Sequence, residues 1–172
     1  MKRMNQKGIT SIELLVSFIL ISTIVVSMFN MIMNYKNEEQ IESIENQVIQ
    51  YENNLQKLLQ DDFIKKNLVS VQLTDDKNAI FQFLDGSTTQ LQITPTVVSE
   101  EEDVLERGKI QYGESSSMLE YAIPNIADLT LTEDSKVLID GEFVQITLYL
   151  EHPNFEQPYR VRITSPINYN NG

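Results

Sequence analysis

GITSIELLVSFILISTIVVSMFNMIM, residues 8–33, decides how this chain folds. After Gly8 come 25 residues with a single charge, the carboxylate of Glu13 at their fifth position. At about 1.5 Å per residue a helix of that length reaches roughly 38 Å, more than the ~30 Å hydrocarbon core of a bilayer. The apolar run exceeds the ~7–15 residues of a secretory signal core, and no A-x-A-like cleavage site follows it. It predicts a membrane span that stays with the protein. An ionised group has no place in a plain anchor. On an insertion scale an Asp, Lys or Arg at the helix centre costs roughly 2.5–3.5 kcal/mol. Glu13 is therefore a functional residue in search of a partner.

Outward from this segment, the leader of residues 1–8 holds Lys2, Arg3 and Lys7 and no acid. Three cations ahead of the apolar run place the N-terminus on the cytoplasmic side and residues 34–172 outside. The whole chain has a net charge of −12; without the leader it has 10 basic and 25 acidic residues, a net charge of −15. Such a surface repels phosphate backbones, so direct nucleic-acid binding is not expected. The absence of cysteine excludes a disulfide framework and a thiolate metal site. One histidine, His152, leaves little for metal clusters or nucleophile–base chemistry, and with Pro153 beside it the expectation is an exposed loop residue.

No glycine or proline occurs from residue 9 to residue 85, so nothing breaks a helix at the membrane surface. Ile41, Ile44, Val48, Tyr51, Leu55 and Leu58 recur at spacings of three and four, a narrow apolar stripe. One helix from about residue 9 to about residue 64 is expected, its first half in lipid and its second half on a globular domain. A free coiled-coil stalk has the same periodicity. Lys65 and Lys66 suit a helix C-terminus, where cations complement the dipole.

From residue 68 the period changes to two. Segments 69–73, 80–84 and 89–93 read as an antiparallel meander, with turns at 76–78 and at Asp85-Gly86. Residues 94–108, with Pro95 and the acidic run 100–103, read as a long surface loop. Further strands are expected at 109–112, 118–123, 128–132, 143–150 and 159–164, with a turn at Asp140-Gly141. The tail, residues 166–172, is expected to be flexible. The chain thus divides into a leader (1–8), a transmembrane half-helix (9–33), an amphipathic half-helix (34–66) and an antiparallel β domain (67–165). The fold class is α+β: one long helix, then one antiparallel sheet.

The N-terminal residues carry a resemblance. Lys7-Gly8-Ile9-Thr10-Ser11-Ile12-Glu13 followed by an apolar helix resembles the processing signal of type IV pilins and pseudopilins. The resemblance implies cleavage between Gly8 and Ile9 by a prepilin peptidase, N-methylation of Ile9, and a docking role for Glu13 in the growing filament. The favoured first mature residue in that family is phenylalanine, so Ile9 departs from the commonest form within the accepted apolar set. The last third, through Lys109-Ile110-Gln111-Tyr112-Gly113 and Ala122-Ile123-Pro124-Asn125-Ile126, is similar to minor pilins and J-type pseudopilins. Implied partners are other pilin or pseudopilin subunits, the peptidase, a membrane assembly platform and its cytoplasmic ATPase. No cofactor, metal or catalytic residue is implied.

Rival readings place function in the β domain. It is a tip adhesin or substrate-binding module on the same anchor, or an enzyme held by an unrelated signal-anchor. Acidic groups at 100–103, or Asp134 with Asp140 and Glu142, offer oxygens for calcium without EF-hand spacing. Asp61-Asp62 beside Lys65-Lys66 fits a helix terminus better than acid–base chemistry, and Ser115-Ser116-Ser117 lacks a nucleophile-elbow context.

Overall fold

A computed structural model describes residues 6–98 and 105–168, with side chains described from Thr10 onward and not at residues 98 and 105. The chain forms two compact units, Met1–Ser43 and Ile44–Gly172. The described part of the first is helix throughout; the second is α+β.

Helix α1 runs Gln6–Lys66, as an uninterrupted run of helix-compatible residues requires. Asn67, at φ 62°, ends it in the left-handed conformation that asparagine tolerates and that closes many helices. Lys65 and Lys66 occupy the last turn and pair with Asp61 at 3.2 Å and Asp62 at 2.9 Å, one helical turn back. In the second unit α1 buries Val48, Leu55, Leu59 and Phe63. The amphipathic stripe therefore packs on a sheet, and this half is no free stalk.

Five strands follow in one antiparallel sheet: β1 (Leu68–Leu73), β2 (Asn78–Phe83), β3 (Thr88–Thr94), β6 (Lys109–Glu114) and β7 (Ser117–Ala122), in the order β1-β2-β3-β6-β7. Gly86, at φ +81°, makes the β2–β3 turn, where Asp85 accepts the Ser87 N–H at 2.9 Å. Alternation buries Ala79, Phe81 and Phe83 on β2 and Leu91 and Ile93 on β3. Phe63 from α1 meets Phe81, with centroids 4.8 Å apart, and Tyr112 edge-on at 6.2 Å.

One expectation is corrected between β3 and β6. Residues 94–108 do not form an unstructured loop throughout, because β4 (Val97–Val98) pairs with β5 (Leu105–Glu106). The acidic run 100–103 lies outside the described residues. Thr96 explains how this excursion is tied down. Its Oγ1 accepts the N–H groups of Gly108 at 3.0 Å and Leu131 at 2.8 Å, and its own N–H donates to the Leu131 carbonyl. Gly108 is required there, since a Cβ would lie 2.4 Å from that of Leu131.

The remaining strands make a second sheet rather than extending the first. Strand β10 (Phe143–Glu151) has β11 (Tyr159–Pro166) on one side; β9 (Lys136–Asp140) and β8 (Thr130–Leu131) share the other. Ser135, fully buried, bridges the gap between β8 and β9 by accepting the Tyr149 N–H at 2.9 Å. Strand β9 was not expected from the sequence. Its Val137-Leu138-Ile139 run does not alternate, and only Val137 is buried. The flexible tail is also corrected: Pro166 closes β11, Ile167 is buried with its N–H on the Glu142 carbonyl, and the Asn168 N–H reaches Leu68 at 2.7 Å. Residues 169–172 lie outside the described residues.

Candidate functional site: the head of α1 and the cleft beside it in sequence

In the first unit Glu13 stands on α1 with its side chain exposed. Gly8 and Ile9 belong to the backbone of α1, and the Ile9 side chain lies outside the described set. Every large apolar side chain on the helix between Ile12 and Met33 is 47–74% exposed. α1 is long and apolar enough to cross a membrane, with mean hydropathy of 2.4 over its most apolar stretch and none of that stretch buried. So much contiguous apolar surface marks a contact with a membrane or with other protein. The hydroxyl of Thr23 donates to the Ile19 carbonyl at 2.8 Å. It therefore asks nothing of a surrounding apolar phase. Glu13 has no such local acceptor solution, since an ionised carboxylate accepts only. Four residues separate it from Ile9, about 6 Å along a helix axis. An amine at Ile9 is thus within reach from the same helix or from a copy shifted slightly along the axis.

The second unit holds an open cleft of about 650 Å³ between the last turns of α1 and the β6–β7 hairpin. At its floor the Tyr112 hydroxyl donates to Asp62 at 2.5 Å and accepts from Thr89 at 3.1 Å. Burial, and then the Asp62 carboxylate, push the Tyr112 hydroxyl well above the usual phenol range. Asp62 also pairs with Lys66. Asp62 thus serves both the end of α1 and β6, while Asp61, beside it in the cleft lining, pairs with Lys65. Sequence reasoning missed this chain of hydroxyls because Asp62 and Tyr112 are 50 positions apart.

Two further tyrosines tie α1 to the sheets. Tyr51 donates to the Tyr121 carbonyl at 3.3 Å, and burial pushes its hydroxyl upward. Tyr159 donates to Glu52 at 2.8 Å; burial and that carboxylate push it up to about 12. All three phenols titrate higher folded than unfolded, so the unfolded chain loses protons first as pH rises. Their contribution is fully present below about pH 10 and is lost as pH rises through the folded values. Denaturant midpoints of the full chain in detergent should stay flat in this respect from pH 7 to 9 and fall above about pH 10. The fall should be shallower in Tyr112→Phe, measured against that variant's own neutral-pH midpoint. An equal slope would remove the role given to this hydroxyl.

The other sequence candidates separate. Asp134, Asp140 and Glu142 do not assemble; among the described residues no three His, Cys, Asp or Glu side chains converge. Ser115 and Ser116 form the two-residue turn of the β6–β7 hairpin. His152 is half-buried rather than exposed, its Nδ1 accepting the Asn154 N–H at 3.1 Å and its ring 5.5 Å from that of Phe155. It serves the β10–β11 loop. The chain matches no protein-family model, no curated protein and no solved structure.

Proposed function

We propose that this chain is a minor type IV pilin or pseudopilin, a structural subunit cut between Gly8 and Ile9 and assembled into a pilus or pseudopilus at its tip or during priming. The observation that carries this reading is the carboxylate of Glu13, four residues beyond the proposed new terminus and the one charge in the apolar segment 9–33 of α1. Cleavage creates an α-amine on Ile9. In lipid that cation and the Glu13 carboxylate are each costly alone and compatible together. Between copies the pairing forms only at one axial offset, so the cost of burying charge selects the correct register. The apolar side chains around it supply packing without direction. A helix long enough to cross a bilayer, followed by an outward α+β unit, suits a subunit anchored first in the cytoplasmic membrane and then drawn into a filament.

Co-expression with a prepilin peptidase tests the reading. The chain should shorten by residues 1–8 in membranes, and Gly8→Leu, which fills the space a peptidase needs at the scissile bond, should leave it at full length. Full-length native chain in the presence of an active peptidase would count against the assignment.

A further inference from the structure

The five-stranded sheet ends at β7, and the second sheet ends at β11. The first sheet's other edge, β1, is tied at its two ends: Leu68 accepts the Asn168 N–H, and the β1–β2 turn accepts the Val137 N–H through Asp76, each at 2.7 Å. Edge strands invite pairing, and proteins usually blunt them with charge, proline or bulges. β7, Ser117-Met118-Leu119-Glu120-Tyr121-Ala122, carries one charge and no proline, and Leu119 stands 62% exposed.

The hydrogen-bond phase of both edges is fixed. The Ile123 N–H bonds to the Gly108 carbonyl, so with the β6–β7 register Leu119 and Tyr121 bond inward. The N–H and C=O groups of Met118, Glu120 and Ala122 therefore face outward. On β11 the Ile167 N–H bonds to Glu142, so Tyr159, Val161, Ile163 and Ser165 bond to β10. Arg160, Arg162 and Thr164 present their backbone groups outward, and their side chains are exposed.

We propose that the β7 edge of one copy pairs antiparallel with the β11 edge of a second copy, in the register that sets Glu120 opposite Arg162. In that register Met118 meets Thr164 and Ala122 meets Arg160, so all outward backbone groups find partners. Pro124 and Pro158, which cannot donate, then face each other just beyond one end, and Pro166 lies just beyond the other. Side-chain faces agree as well. Glu120, which pairs with Lys109 at 2.9 Å within its own sheet, and Arg162, which donates to Gln145 at 2.6 Å, fall on one exposed face. There each can take the other as an added partner. Exposed Leu119 and half-buried Tyr121 continue the buried row of Val161 and Ile163 on the other face.

Charge chooses this occupant over β7 of a second copy. The β7–β7 register of greatest overlap puts Glu120 against Glu120, and like charges directly opposite are destabilising. The copies repel through a net charge of −12, but at physiological ionic strength that field fades over about 8 Å, while the facing pair remains in contact. Two different edges joined this way make a head-to-tail contact, which propagates instead of closing into a dimer.

The chain has no cysteine, so introduced thiols report without background. Full-length, uncleaved Met118→Cys and Thr164→Cys chains are mixed in detergent under mild oxidation, which keeps the outcome independent of leader processing. A mixed disulfide dimer is expected, and a chain bearing both substitutions should give a ladder. Arg162→Glu should lower the yield about tenfold or more, and adding Glu120→Lys to it should restore the yield. Dimers of Met118→Cys alone in preference to the mixed pair, no adduct at all, or an adduct indifferent to charge reversal would each overturn the proposal.

Discussion

Glu13→Ala should leave membrane insertion intact and lower incorporation into the proposed filament by about tenfold or more. Insertion depends on the summed apolarity of α1, and deleting a carboxylate makes that segment more apolar. In the proposed assembly, incorporation depends on what faces the terminal amine of a neighbouring copy, and Glu13 and that amine would satisfy each other. With alanine, the amine enters an apolar bundle unpaired, and a penalty of even 1.4 kcal/mol is tenfold in an equilibrium. The full cost of an isolated charge at mid-bilayer is roughly twice that on the insertion scale. Membrane fractionation reads the first quantity, and the share of the chain in sheared or secreted filaments reads the second. Glu13→Gln separates charge from size, and it should behave like alanine because an amide cannot neutralise the amine. Normal incorporation of either variant would remove the carboxylate from the assembly mechanism.

Phe63→Ala should destabilise the second unit by about 3–5 kcal/mol, a large part of the roughly 5–15 kcal/mol that holds an ordinary domain together. The ring is 2% exposed and sits where α1 meets the first sheet, 4.8 Å from Phe81, 6.3 Å from Phe83 and 6.2 Å from Tyr112. Removing it takes away the transfer energy of an aromatic side chain and opens a cavity between two rigid elements that cannot collapse onto each other. It also loosens the ring beside the Tyr112–Asp62 bond. Its neighbour Ile64 is 70% exposed, so Ile64→Ala should shift stability by no more than about 0.5 kcal/mol. Chemical denaturation of the full chain in detergent, followed by tyrosine circular dichroism, measures both. Equal effects at the two positions would mean that this face of α1 is not what fastens it to the sheet.

Periodicity carried much of the architecture. The change from spacings of three and four to a spacing of two located the end of α1, and alternation located β1, β2, β3, β10 and β11 within a residue or two. Pairing order was less accessible. Nothing in a period-two pattern says that β8 and β9 share one side of β10, or that Thr96 stitches the β3–β6 connection to β8 through the two bonds at its hydroxyl. Those facts depend on residues 12 and 35 positions from Thr96. Strand β9 escaped because its outer three residues are exposed and break alternation. Ile167 was read as tail since one apolar residue among polar neighbours has no period at all.

The candidate site shows the opposite balance. The proposal at Gly8, Ile9 and Glu13 rests on a local signal alone: one charge where the surrounding sequence forbids charge. What the sequence could not provide was the engagement of Asp62 by Tyr112 and Lys66, or the placing of β7 and β11 at the edges of two sheets. Both arise only when distant segments become neighbours.

Mass analysis of the N-terminal peptide from chain recovered in assembled filaments weighs the whole account. A peptide beginning at Ile9 and carrying one added methyl group is the predicted result. A peptide beginning at Met1 in a finished filament would contradict it, since no freed amine would then exist for Glu13 to meet.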